Sequence, residues 1–138
     1  MAIDYEAIIA GVLKDTRGNA SREEATARVA QALLYYEAVE AVSDARACGF
    51  PLPLASLLEG FTLGEPYGPR VAFSRYEGRL TMHSTSIPSA ALPSGKQIHE
   101  EWTPGADSAE DMRANVSRWI QAVVETLARS AALTSKRR

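Results

Sequence analysis

The sequence predicts an α+β domain: a small antiparallel sheet of three to four strands, packed on one face against N-terminal and C-terminal helices, in the order α-α-β-β-β-α. Three observations predict this fold class. Apolar residues recur at helical spacing near both ends of the chain. The section from Phe61 to Thr103 is rich in glycine, proline and short runs of β-forming residues. The length of 138 residues is that of one ordinary domain.

Two helices are predicted before the sheet. The first covers about residues 5–16, where apolar residues form one stripe. Ser21 and Glu24 have the spacing of a capping box, which predicts the start of a second helix. This helix is expected to reach about Cys48, with Gly49 in the left-handed position after it. Its buried face is expected to carry the larger apolar residues, namely Val29, Leu33, Tyr36, Val39 and Val42.

The middle of the chain predicts the sheet. The stretch PLASLLEG (53–60) is expected to add one turn of helix, because a proline suits the first helical position. GFTLG (60–64) is expected to be a short strand. RVAFSRY (70–76) and RLTMHSTSI (79–87) are expected to form a hairpin around a two-residue turn, Glu77-Gly78. QIHEEWT (97–103) alternates and predicts a further strand, between loops at 88–95 and 104–108.

The hairpin register follows from that turn. Tyr76 is expected opposite Arg79 and Phe73 opposite Met82, and side chains alternate between the two faces of a sheet. One face then carries Val71, Phe73, Leu80 and Met82, with Arg75 and Ser84 near its edges, and meets the helices. Ile98 and Trp102 are expected to join this apolar face. A shift of one residue would expose Phe73 and Met82 to water.

A last helix is predicted from about residue 109 to residue 132. Ser108 and Asp111 again have the spacing of a capping box. Its buried stripe is expected to comprise Met112, Val116, Trp119, Ile120, Val123 and Leu127. We predict one domain over residues 1–133, followed by a frayed basic tail at 134–138.

The polar face of the predicted sheet is the candidate binding site. It gathers both histidines of the chain together with arginine, tyrosine and hydroxyl side chains. The residues expected to bind a ligand or partner are Arg70, Tyr76, Arg79, His83, His99 and Glu101. Such donors suit a polar protein partner or a small anionic, nucleotide-like ligand. The alternative is an ordinary solvated face, because antiparallel sheets often leave one face to water.

A small hydrolase, phosphoesterase or metal enzyme using His83 and His99 is the other function class. His83-Ser84-Thr85 matches half of the paired pattern of two-histidine phosphoesterases, but His99-Glu100-Glu101 lacks the second hydroxyl. His83, His99 and Glu101 also have the composition of a two-histidine, one-carboxylate metal site. A nucleophilic Cys48–histidine pair is disfavoured, because a helix C-terminus destabilises a thiolate. With no catalytic spacing in the chain, we expect a non-enzymatic binding, adaptor or inhibitor-type protein that needs no cofactor.

Composition restricts the partners. The formal net charge is -2, so charge gives no argument for nucleic acid. No apolar run reaches the roughly 20 residues that span a bilayer, and no basic segment opens the chain as in a secretory signal. The single cysteine excludes an internal disulfide, so we expect a cytoplasmic protein. Open sheet edges and wide apolar helix faces predict self-association, at least to a dimer. The alanine and arginine content is typical of a GC-rich bacterial or phage genome.

Overall fold

The computed structural model describes residue 7 and residues 19–136, and in it two helices pack on one face of a five-stranded antiparallel sheet. The elements are α1 (Asn19–Ala47), β1 (Leu54–Leu57), β2 (Gly60–Gly64), β3 (Arg70–Tyr76), β4 (Arg79–Thr85), β5 (His99–Trp102) and α2 (Ala109–Lys136). Short 3₁₀ helices at Ser89–Ala91 and Pro104–Ala106 lie in the two predicted loops. The α+β class is confirmed. The helix predicted at 5–16 lies outside the described residues.

The sheet is a meander with the strand order β1-β2-β3-β4-β5, so each strand pairs with the next along the chain. The predicted hairpin register is confirmed, with Phe73 opposite Met82 and Tyr76 opposite Arg79. One face carries the large apolar side chains, all at most 1% exposed: Phe61, Leu63, Val71, Phe73, Leu80 and Met82. Ile98 and Trp102 extend that face as predicted, half-buried against the core.

The sheet has five strands rather than three to four because the predicted helical turn at 53–60 is wrong. Leu54–Leu57 instead pairs with β2, Leu54 opposite Leu63 and Leu57 opposite Gly60. Leucine, alanine and serine do not favour strands on their own. The paired backbone of β2 supplies hydrogen bonds that an isolated turn of helix lacks, and tertiary pairing therefore overrides local propensity here.

Helix α1 begins and packs differently from the prediction. It starts at Asn19, so Ser21 lies within its first turn and is not its N-cap; Asn19-Ala20 continue the helix, and alanine is the strongest helix former. Val29 and Leu33 are buried as predicted, but Tyr36 is 57% and Val39 41% exposed. The rest of the buried stripe is Leu34 and smaller residues that let the helix lie close to its neighbours, namely Thr26, Ala27, Ala30 and Ala38.

The end of α1 is confirmed. Gly49 has a φ of 81°, the left-handed conformation predicted for the position after the helix. Its N–H donates to the carbonyl of Arg46 over 3.0 Å, and the N–H of Phe50 donates to that of Ala45 over 2.8 Å. These two bonds form a Schellman motif, which satisfies helix carbonyls that would otherwise lack partners. The motif turns the chain out of the helix toward β1.

Helix α2 closes the core. The Ser108 hydroxyl accepts the N–H of Asp111 over 3.1 Å, which confirms Ser108 as the N-cap. All six predicted stripe residues, from Met112 to Leu127, are at most 5% exposed. The helix continues to Lys136, past the predicted end near 132, and so includes the start of the predicted tail. Neither described helix is both long enough and apolar enough to cross a bilayer.

A chain of aromatic rings links the layers through the core. Phe61 stacks on Phe73 with a centroid separation of 4.7 Å, and Phe73 lies 6.3 Å from Trp119 of α2. Tyr35 of α1 meets the edge of Phe61 at 5.4 Å, and Trp102 of β5 meets Trp119 at 5.6 Å. Offset and edge-on pairs of this kind stabilise a core beyond the area that they bury. Tyr35 therefore has a structural role that its sequence position did not reveal.

Candidate functional site

The sheet surface opposite the helices, here called the open face, carries all six predicted site residues. Alternation along β3, β4 and β5 sends these side chains away from the apolar face, as predicted. Tyr76, Arg79, His83, His99 and Glu101 are exposed, and Arg70 is half-buried. The predicted site residues therefore share one surface, although they are spread along the full length of the strands.

The middle of the open face consists of small side chains. Ala72 stands between Thr62 on β2 and His83 on β4. In the next row Ser74 stands opposite Thr81, and their hydroxyl oxygens lie 2.6 Å apart. Ala72, Thr62, Ser74 and Thr81 are all half-buried. Since none of these side chains is long, the centre of the open face is low. Its larger polar groups lie on β3, β4 and β5, whereas Ala55 and Leu57 lie on the β1 side.

The two histidines form a cross-strand pair at the β4–β5 edge. His83 stands directly opposite His99, with the two Nδ1 atoms 3.5 Å apart and the rings edge to face. The Nε2 atom of His99 lies 4.0 Å from Oε1 of Glu101. The carboxylate thus approaches the nitrogen of His99 that points away from His83, so the three groups do not converge on one point. Within residue 7 and residues 19–136, no group of three or more histidine, cysteine or acidic side chains is placed to hold a metal ion.

The two arginines of the open face already have partners. Arg79 forms an ion pair with Glu101 across β4 and β5, with an N–O distance of 3.6 Å. Arg70 donates to the backbone carbonyl of Gly68 over 3.0 Å. The arginines lie six positions apart along the hairpin, because Arg79 pairs with Tyr76. At about 3.3 Å a residue this is about 20 Å, so no single phosphate can contact both.

Ser84, the middle residue of the His-Ser-Thr half-motif, belongs to the core side. It is 1% exposed, and its hydroxyl donates to Oε1 of Gln97 over 2.8 Å and accepts the N–H of Ile98 over 2.6 Å. Gln97 in turn donates to the carbonyl of Ile87. This network satisfies a buried hydroxyl and attaches the segment before β5 to β4. Only His83 and Thr85 of the half-motif face the open side.

A polar network that the sequence did not predict joins α1 to the sheet. Arg75 is 15% exposed and forms ion pairs with Glu24 of α1 and with Glu59, the latter over 3.0 Å. Its Nε donates to Oε1 of Gln31 over 2.9 Å, and Gln31 donates to the carbonyl of Glu59. Arg75 was expected only near the edge of the apolar face. Nothing in the spacing of Glu24, Gln31 and Glu59 indicated that they would meet it.

Cys48 and the two tryptophans lie away from the open face. Cys48 is an exposed, free thiol at the end of α1, so it does not form a nucleophilic pair with either histidine of the open face. Trp119 is fully buried, and the indole N–H of Trp102 donates to Asp107 over 2.7 Å, so both tryptophans belong to the core and its boundary.

No family model, no curated protein and no solved structure matches this chain.

Proposed function

We propose that this protein is a non-enzymatic binding module that docks another protein on its open face. The observation that carries the proposal is the shape of that face: small, half-buried side chains in the middle, namely Thr62, Ala72, Ser74 and Thr81, with longer polar groups toward β3, β4 and β5. A low centre bordered by polar groups suits a broad partner surface, because close approach needs no large side chain to move.

The alternative of a small anionic ligand has weaker support. Arg79 is paired with Glu101, and Arg70 donates to the backbone carbonyl of Gly68, just before β3. An anion would have to displace Glu101 to bind Arg79. The two guanidinium groups also lie too far apart for a compact ligand. The open face thus carries an arginine that is already paired with a carboxylate, which favours specific protein contacts over capture of a phosphate.

The hydrolase alternative depends on His83 and His99. Their Nδ1 atoms face each other, and both rings stand on an exposed, low surface rather than in a cleft. Hydrolysis needs groups that hold a substrate against the acid and base, and usually a site that excludes water. The open face offers the paired imidazoles without such walls, so binding explains the arrangement better than catalysis.

Self-association is the second part of the proposal. In the described part of the chain, β1 pairs only with β2, and its sequence, Leu-Ala-Ser-Leu, carries no charge or proline that would protect an edge. The opposite edge, β5, carries two glutamates. Exposed apolar side chains lie at the end of β1 and beside it, namely Leu57, Leu58 and Tyr36, which are 48%, 98% and 57% exposed. An antiparallel pairing of β1 with β1 of a second copy would cover this edge.

The docking proposal is tested with an Ala72→Arg variant, which places a long charged side chain in the middle of the open face without touching the core. Immobilised wild-type protein, the variant and a control, Ala132→Arg at an exposed position of α2, are compared for proteins retained from the source cells. We expect a protein retained by wild type and control but not by Ala72→Arg, with unchanged melting temperatures. If no retained protein distinguishes Ala72→Arg from the control, the open face is a solvated surface.

Two further measurements address the alternatives and the oligomer. A melting-temperature screen against nucleotides, phosphoesters and divalent metals should give no shift, since a tight ligand of the folded state must raise the melting temperature. A nucleotide shift abolished by Arg70→Ala with Arg79→Ala would replace the docking proposal. Light scattering should find a dimer that Ser56→Pro converts to a monomer, because Ser56 stands opposite Phe61 at a position whose N–H points away from β2. A monomer for wild type at tens of micromolar would refute self-association.

A further inference from the structure

The outer surface of the helix layer, opposite the open face, contains a groove between α1 and α2. Its cavity measures about 430 Å³. Apolar side chains form its floor, and these are the outer side of the core: Ala41, Ala45, Phe50, Ile120 and Val124. The α1 residues recur at spacings of three and four, so one continuous face of the helix lines the groove.

The floor can admit a helix. From Glu37 to Cys48 the lining of α1 covers about three helical turns, or about 17 Å. Ala41 and Ala45 present only methyl groups there, so a partner backbone can approach α1 closely. Ile120 and Val124 of α2 offer larger apolar contacts one turn apart. This combination resembles the grooves that receive the apolar face of an amphipathic helix.

The charge around the groove has one sign. Four acidic side chains line it, Glu37, Glu40 and Asp44 on α1 and Glu125 on α2, and no lysine or arginine does. Glu40, Asp44 and Glu125 are exposed, so their carboxylates are accessible to the cations of a partner. The nearby cation Arg118 of α2 forms an ion pair with Glu100 over 3.2 Å and lies outside the lining.

We propose that this groove binds a basic amphipathic helix of a partner protein. The apolar stripe of that helix lies on Ala41, Ala45 and Val124, and its lysines or arginines lie beside Glu40, Asp44 and Glu125. The acidic rim selects the charge of the partner, since like charges at an interface are strongly unfavourable. The site is separate from the open face, so the protein could hold two partners on opposite surfaces.

The test uses a synthetic 15-residue peptide of leucine and lysine, patterned so that the leucines occupy one helix face. Cys48 lies at the groove and is the only cysteine of the chain, so an environment-sensitive dye attached to it reports binding at this position. We expect the peptide to shift the dye emission and to gain helical circular dichroism. A leucine–glutamate peptide of the same pattern, and a leucine–lysine peptide of alternating pattern, should produce no shift.

Matched variants locate the charge effect. Glu40→Gln with Asp44→Asn should weaken binding at least about tenfold at low salt, since surface charges act through water and are screened by ions. Glu65→Gln with Glu110→Gln removes the same charge at exposed positions outside the groove and should change binding less than about twofold. Each pair is checked by its melting curve, which should match that of the wild type.

Several results would overturn the proposal. One is binding of the leucine–lysine peptide, measured by anisotropy, that leaves the emission of the Cys48 dye unchanged. A second is binding of the leucine–glutamate peptide as tight as that of the leucine–lysine peptide. A third is an equal loss of affinity in the two variant pairs. A dye placed at Ser94→Cys in a Cys48→Ser background should not respond, and a response there would indicate binding elsewhere. If the unliganded protein self-associates and Glu40→Gln with Asp44→Asn abolishes that association, a second copy occupies the groove instead.

Discussion

Arg75 of β3 donates from Nε to Oε1 of Gln31 on α1 over 2.9 Å, and this bond belongs to the network that ties the first helix to the sheet. The same guanidinium pairs with Glu24 and Glu59. Arg75→Ala should therefore lower the free energy of unfolding by about 1–3 kcal/mol, because it leaves the half-buried Glu24 with only the exposed Arg28 as a counter-charge. Urea denaturation measures the loss.

Arg28 provides the control for that experiment. It contacts Glu24 at 3.4 Å, but its side chain is 68% exposed. Surface pairs of this type contribute little, so Arg28→Ala should cost no more than about 0.5 kcal/mol. Equal losses for Arg75→Ala and Arg28→Ala would mean that the network is solvated and contributes no more than the surface pair.

The register of the hairpin can be tested through its two faces. Phe73→Ala and Met82→Ala should each cost about 2–5 kcal/mol, because both side chains are 1% exposed and their removal leaves cavities. Thr81→Ala loses one half-buried hydroxyl contact with Ser74 and should cost at most about 1 kcal/mol. Thermal or urea unfolding of the three variants is sufficient. Similar small effects at all three positions would contradict the register.

The N-cap of α2 should contribute measurably. Ser108→Ala removes the oxygen that accepts the Asp111 N–H, and we expect a loss of about 1 kcal/mol. Ser117 lies exposed in the middle of the same helix, so Ser117→Ala should be neutral or slightly stabilising. Ser108→Asp should retain the stability of the wild type, since aspartate also caps. Failure of Ser108→Asp to do so would argue against the cap.

Two glycines should respond to alanine for different reasons. A Cβ at Gly60 would lie 1.8 Å from the carbonyl oxygen of Phe73, so Gly60→Ala must separate β2 from β3 and should cost at least about 3 kcal/mol. A Cβ at Gly49 meets nothing within 4 Å, but its φ of 81° strains any other residue. Gly49→Ala should cost only about 1 kcal/mol. Urea unfolding measures both losses. Equal losses of stability for Gly60→Ala and Gly49→Ala would show that the close contact with Phe73 is not the reason for a glycine at position 60.

The predictable part of this fold is the part with strong patterns. The hairpin register followed from strict alternation and a two-residue turn, and the face of α2 followed from large apolar residues at helical spacing. β1 escaped prediction because Leu-Ala-Ser-Leu has the composition of a helix and becomes a strand only through pairing with β2. The buried face of α1 was only partly predicted, because alanines form much of it while the larger Tyr36 and Val39 remain exposed.

The candidate site was also predictable only in part: the face on which its residues lie was predicted, but their partners were not. Alternation was enough to place Arg70, His83 and Glu101 on one surface, because the side-chain period of a strand is two. The partners of those side chains depend on strand neighbours and loop geometry. The pairing of Arg79 with Glu101 required the position of β5, which no pattern in β4 specifies.

The meander order has a consequence for how the chain folds. Each strand pairs with its neighbour in sequence, so the sheet can assemble from successive hairpins with short loop closures, which favours rapid formation. Its apolar face is only partly covered, by α1, until α2, the last described element, has been synthesised and brings Trp119 against Phe73. During translation the emerging sheet therefore leaves Phe73 without its α2 partner, and this is the stage at which the chain is most prone to aggregate and most open to chaperones.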